Sequence, residues 1–126
     1  MKHNDVGRFG EDAAADYLTK NGYKILERNI HISHNEIDII AKNKKFLAFV
    51  EVKTRTVGAD LYSRFGTPAS AVTRQKQKRI IEAAKAYLFA NKFEGLQPRL
   101  DVIEIYVDKE SGKISKINHF EDAFWA

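Results

Sequence analysis

The 126-residue sequence predicts an α/β layered domain with one mixed sheet. Three observations carry this expectation. Two stretches repeat apolar residues at spacings of three and four, the period of an amphipathic helix. Several runs are rich in Val, Ile, Phe and Tyr and are bounded by turn residues, as strands are. The order of these segments is helix, three strands, helix, then one or two further strands. A chain of this length has room for one hydrophobic core, so residues 1–126 read as a single domain.

From Asp5 to Asn21 the residues Val6, Phe9, Ala13, Ala14, Tyr17 and Leu18 define the apolar side of the first helix. Asn4 or Asp5 can cap it, and Gly22 can end it. YKILERNIHI follows as a strand, with Tyr23, Ile25, Glu27 and Asn29 on one face and Ile30 and Ile32 on the other. SHN makes a turn. NEIDIIA and FLAFVEVKTR then form a hairpin around a short loop within KNKK, and residues 56 to 70, TVGADLYSRFGTPAS, read as a long loop. A second helix is expected from about Ala71 to Asn91, with Val72, Ile80, Ala83, Ala84, Tyr87 and Leu88 inward. After the EGLQP turn, RLDVIEIYV is a fourth strand, and GKISKINHF a fifth after DKESG. The ending HFEDAFWA is apolar and aromatic and closes the core, unless Trp125 belongs to a subunit interface.

Composition narrows the function. With 44% hydrophobic and 30% charged residues, neither a disordered nor a membrane-embedded chain fits. No apolar run approaches the roughly 20 residues of a spanning helix, and MKHNDVGRFGED supports neither a secretory signal nor a transit peptide. A cytoplasmic protein without a membrane partner is expected. The absence of cysteine excludes disulfides, zinc-thiolate sites and thiol nucleophiles, so a metal would need oxygen or imidazole ligands. His31, His34 and His119 have no paired ligand spacing. The net charge is +4, and TRQKQKR at 73 to 79 concentrates four cations, a composition compatible with nucleic acid.

The hairpin places charges among large apolar side chains. On its second strand Leu47, Phe49, Glu51, Lys53 and Arg55 share one face, and Phe46, Ala48, Val50, Val52 and Thr54 share the other. Both faces begin apolar, so the strand is covered on both sides. On the first strand Glu36, Asp38 and Ile40 share a face, opposite Ile37, Ile39 and Ala41. A turn centred on Asn43-Lys44 would set Glu36 across from Glu51, and Asp38 across from Phe49 and diagonal to Glu51. The acids and Lys53 then converge. Neighbouring, partly buried carboxylates need a compensating cation. Lys53 is one candidate. A divalent ion is the other, and Mg²⁺ or Mn²⁺ suits oxygen ligands and phosphodiester chemistry. Taken alone, Glu-x-Lys on a strand is more often a salt-bridged or solvated pair; the apolar strands and the shared face weigh against that.

Asp38 and the Glu51-Val52-Lys53 triplet on a hairpin, after a helix bearing Glu11 and before a basic helix, resemble the PD-(D/E)xK nuclease superfamily. GRFGEDAAADYL, GYKILERNI, NEIDIIA, FVEVKTR, the Val72/Lys76/Ile80 helix and RLDVIEIY together resemble the YraN-like family of predicted endonucleases, relatives of Holliday-junction resolvases. The resemblance spans about Gly7 to Phe124. It implies a restriction-endonuclease-like αβββαβ core with a mixed central sheet flanked by helices. It also implies a Mg²⁺- or Mn²⁺-dependent hydrolase that cuts DNA, with branched or damaged DNA as candidate substrates and no small-molecule cofactor. Asp38, Glu51 and the Val52 carbonyl would hold metal, Lys53 would assist the attacking water, and Glu11 would be the helix-borne acid. Where the family has Gly before Glu-Ile-Asp this chain has Asn35, a residue that tolerates left-handed backbone. Resolvase-like relatives act as dimers, which implies a homodimer here.

Glu11 borders the buried face of its helix, although an exposed Glu near a helix N-terminus would look the same. Lys76 falls in line with Val72 and Ile80, which suits either a cation aimed at the acids or one snorkelling outward. Arg55, Arg64, Arg74, Lys76, Lys78 and Arg79 are expected to gather at one end of the sheet and follow a nucleic-acid backbone. Tyr62 and Phe65 could stack on bases or anchor their loop. A competing reading of the whole chain is a nucleic-acid-binding module that keeps the nuclease fold with weak or no cleavage. A third is a protein-interaction domain using the C-terminal aromatics.

Overall fold

The computed structural model describes residues 3–57 and 72–124. Arg64, Tyr62, Phe65 and Trp125 lie outside them. Helix α1 (His3–Lys20) leads into β1 (Lys24–Ile32), β2 (Asn35–Lys42) and β3 (Phe46–Val57); α2 (Arg74–Ala90) follows, then β4 (Gln97–Asp108) and β5 (Ile114–Phe120). The five strands form one mixed sheet in the order β1-β2-β3-β4-β5, parallel between β3 and β4 and antiparallel elsewhere. The parallel pair needs a long crossover, and α2 lies within it.

The helices cover opposite faces. Ala14, Ala15 and Leu18 of α1 pack on Ile39, Ala41, Ala48, Val50, Ile103, Ile105 and Val107. Ile80, Ile81, Ala83, Ala84 and Tyr87 of α2 pack on Ile40, Leu47, Phe49, Leu100 and Val102. Completely buried side chains such as Phe49 and Leu100 contribute about 1.5–3 kcal/mol each. Phe124 joins the α2 side, so the C-terminal segment does close the core.

Local chemistry explains the boundaries. Helix α1 begins at His3, so Asn4 and Asp5 lie inside it and do not precede it as caps. It ends in a Schellman turn: Gly22 (φ 88°) donates to the Thr19 carbonyl and Tyr23 to that of Leu18, while both apolar side chains enter the same core. Helix α2 starts at Arg74 and not at Ala71, because the Thr73 hydroxyl accepts the Lys76 N–H and fixes the first turn there. In the β1–β2 hairpin the left-handed positions are Ser33 and His34, the two-residue loop of a type I′ turn. Asn35 carries no such demand. Gly10 faces β3 so closely that a Cβ there would lie 2.9 Å from the Thr54 Cβ, and this approach seats α1 on the sheet.

The register between β2 and β3 differs from that expected. Lys42 pairs with Leu47 and Ile40 with Phe49. The Asn43 side chain accepts the N–H groups of Lys45 and Phe46, which sets the turn over 43–46 and slides the register by two residues from a turn centred on Asn43-Lys44. Asp38, not Glu36, is thereby aligned with Glu51. Pairing with β3 stops at Ile39, and beyond it Ile37 joins the α2-side core, away from Ile39 and Ala41.

A polar network is buried on the α1 side. Asp101, fully buried, accepts a two-pronged interaction from Arg99 (2.9 and 2.8 Å), a bond from His119 Nε2 (2.7 Å) and the Asp122 N–H (2.9 Å). Arg99 also meets Glu121 at 3.0 Å, donates to the Tyr23 hydroxyl and lies 4.5 Å from the centre of the Phe46 ring. His119 Nδ1 meets the Tyr17 hydroxyl at 3.1 Å. The network joins α1, the turn that leads into β1, β4, β5 and the C-terminal segment.

Candidate functional site

Strand β3 carries the centre of the site. It is covered by α1 on one side and α2 on the other, so Glu51 is only 4% exposed. Where backbone pairing between β2 and β3 ends, the Asp38 carboxylate replaces a strand acceptor and takes the Val52 N–H at 2.8 Å. Strand residues direct N–H and C=O to the same edge, so the Val52 carbonyl faces the same side. Burial, and then the negative charge of Glu51, push the Asp38 carboxyl up to about 8, against the pull of the Val52 N–H.

Two lysines answer this charge at one atom. Lys76 Nζ lies 2.5 Å from Glu51 Oε1, and Lys53 Nζ lies 3.7 Å from it. Burial favours neutral Lys76, yet its bond to Glu51 and the charges of Glu51 and Asp38 outweigh that and hold its ammonium above the usual lysine range. The alignment of Lys76 with the apolar stripe thus directs a cation at the acids.

Glu11 comes from α1, half-buried. Burial raises its carboxyl, with Arg28 opposing and Glu36, Asp12 and Glu51 adding to the rise. In the amide orientation that satisfies both acids, Asn29 donates to Glu11 at 2.6 Å and Glu36 at 3.2 Å. Asn29 is left-handed (φ 50°), close to a bulge in β1. Glu11, Asn29, Glu36, Asp38, Glu51, Lys53 and Lys76 line a cleft of about 390 Å³. A second cleft of about 310 Å³ shares Glu36, Asp38, Glu51 and Lys76 and adds His34 and Arg79.

Among the described residues no three acids or histidines close around one point as a metal cage. The donor set is a carboxylate pair. That suits Mg²⁺ or Mn²⁺, which take one or two carboxylates and complete their shell with water and phosphate. The raised Asp38 fits as well, because two acids forced together relax when a cation arrives.

Of the expected nucleic-acid-facing residues, Arg74, Lys78 and Arg79 are exposed on the first turns of α2. Arg55 instead reaches inward, its Nε 3.3 Å from Glu104. Glu104, 1% exposed, is aligned with Lys53 on the adjacent strand and accepts the Tyr106 hydroxyl at 3.0 Å. Sequence reasoning missed it, although the signal was the one that marked Glu51: a charge inside a strand that is apolar on both faces. Asn29 gives no such signal.

A family described as "Uncharacterised protein family UPF0102" matches residues 10–105, a span from before Glu11 to beyond Glu104. A UPF0102 protein of Caldanaerobacter subterraneus is 45% identical over 119 residues, covering 94% of this chain and 93% of that one. One from Prosthecochloris aestuarii is 45% identical over 126 residues, covering 98% and 95%. One from Clostridium perfringens strain 13 is 44% identical over 124 residues, covering 98% and 97%. The chain belongs to the UPF0102, or YraN-like, family.

Proposed function

We propose that this protein is a Mg²⁺- or Mn²⁺-dependent DNA endonuclease with the restriction-endonuclease-like core of the PD-(D/E)xK superfamily. The observation that carries this reading is the alignment of half-buried Asp38 with buried Glu51 at the point where β2 and β3 part, with Lys53 two residues on. The order α1, β1, β2, β3, α2, β4 and the exposed cations of α2 beside the cleft support it.

Asp38, Glu51 and the Val52 carbonyl would hold the ion. Bound there, it would neutralise the acids and polarise a phosphodiester. Lys53, on the same face as Glu51, orients the attacking water and offsets negative charge growing on the phosphate. Glu104, in register with Lys53, bonds Arg55 and the Tyr106 hydroxyl and so steadies the strand edge beside that ammonium. Glu11, fixed by Asn29, borders the cleft on the α1 side and supports the site there. Arg74, Lys78 and Arg79 follow the DNA backbone.

One observation favours a second reading, a nucleic-acid-binding module without cleavage: Glu51 is already neutralised by Lys76. Purified protein with Mn²⁺ and duplex, single-stranded, flap and four-way-junction DNA separates the two. Cleavage abolished in both Glu51→Ala and Lys53→Ala is expected. Binding without cutting of any of these substrates, unchanged in both variants, would leave the binding module.

A further inference from the structure

We propose that Lys76 is an exchangeable counterion, which neutralises Glu51 while the site lacks metal and passes to a substrate phosphate when a divalent cation takes its place. The inference rests on the metal-site reading above and adds what that reading leaves open, namely what holds the carboxylate pair together beforehand.

The geometry is that of a hinged cation. The Lys76 backbone is pinned, its N–H bonded to Thr73 Oγ1 at 3.1 Å in the first turn of α2. Its side chain is a flexible four-carbon stem, 43% exposed, that reaches over the cleft mouth to an acid 4% exposed. The ammonium can therefore leave toward solvent without moving the helix, whereas Glu51 cannot follow it. Lys53, at 3.7 Å from the same oxygen, is the more distant partner.

Electrostatics makes the two cations exclusive. An ion held by Asp38 and Glu51 would compete with Lys76 for Glu51 Oε1 and repel its charge. Lys76 lines both clefts, and the smaller also contains Arg79, so an ammonium displaced toward solvent stays beside Arg79, where a substrate phosphate between them would hold both. Metal binding then removes a carboxylate partner and supplies a phosphate donor in one step. By linkage, metal and DNA strengthen each other's binding.

Mn²⁺ affinity of the full chain without DNA, followed by the electron paramagnetic resonance of free Mn²⁺, tests the exchange. Lys76→Met and Lys76→Gln are expected to bind Mn²⁺ about tenfold more tightly than wild type, the scale of one competing charge removed. Lys76→Arg and Lys85→Met, the latter on the exposed side of α2, should stay within about threefold of wild type. Equal or weaker Mn²⁺ binding by both neutral variants overturns the exchange while leaving the metal site intact. Undetectable Mn²⁺ binding by wild type and variants alike overturns the exchange and the metal-site reading together. In a second readout, Ca²⁺ should tighten binding of a duplex oligonucleotide to wild type relative to EDTA, and Lys76→Met should lose most of that gain. An equal gain in the variant overturns the transfer to phosphate.

Discussion

Asp38 and Asp101 are both aspartates on strands of one sheet, and the protein treats them in opposite ways. Burial opposes ionisation of each. At Asp101 the bonds from His119 and Arg99 and the Asp122 N–H outweigh burial and hold the carboxyl below its usual range. At Asp38 a single backbone N–H faces burial plus the charge of Glu51, and the carboxyl rises to about 8. A buried acid whose partners are all supplied by the fold ties elements together. A half-buried acid set against another acid carries an electrostatic cost that a cation can relieve, which is why the proposed function puts the metal at Asp38.

The largest effect expected from this contrast is on stability. Asp101→Ala leaves Arg99 buried without its main partner and should cost about 3–5 kcal/mol in urea denaturation. A loss below about 1 kcal/mol would mean that the network holds little together. Asp38→Asn removes a charge that is already costly, so the metal-free variant should be at least as stable as wild type at pH 8.

Helix α1 links the two regions, carrying Glu11 to the cleft and Tyr17 to His119. Gly10→Ala would press on Thr54 and lift the helix from β3. A destabilisation of about 1–3 kcal/mol is expected, together with weaker Mn²⁺ binding. Wild-type values for both would show that the helix can shift without cost.

The pH slope has opposite sign in the two regions. Asp38 is protonated in the folded chain well above the ordinary aspartate value of 3.8. Its contribution to stability is therefore complete below about 4 and is lost as pH rises through about 8. Asp101, with its carboxyl lowered, contributes above 3.8 and loses that contribution as pH falls through its folded value. Melting temperatures in EDTA should accordingly decline between about pH 4 and 8 in wild type, and Asp38→Asn should flatten that decline. An unchanged slope in the variant would assign the pH dependence to other groups.

Much of the site was legible because its parts are local. Strand alternation alone puts Glu51 and Lys53 on one face, and apolar flanks on both faces argue for burial. Lys76 could be aimed at the acids from its place in a helical stripe, although the choice between the acids and solvent required the fold. Glu104 was not legible as a neighbour of Lys53, since β4 meets β3 only through the crossover. The Arg99 network was not legible, because Tyr17, Tyr23, Arg99, Asp101, His119 and Glu121 come from five separate segments.

By itself the sequence determined the order of helices and strands, the two-sided burial of β3 and the charges it carries, because periodicity and turn chemistry act over a few residues. Tertiary structure decided the register and the partners. A two-residue slide, set by Asn43 bonding its own turn, aligned Asp38 with Glu51 in place of Glu36. Packing of α2 against the sheet then gave Glu51 its lysine. Both depend on distances between segments far apart in the chain, where sequence spacing carries no geometry.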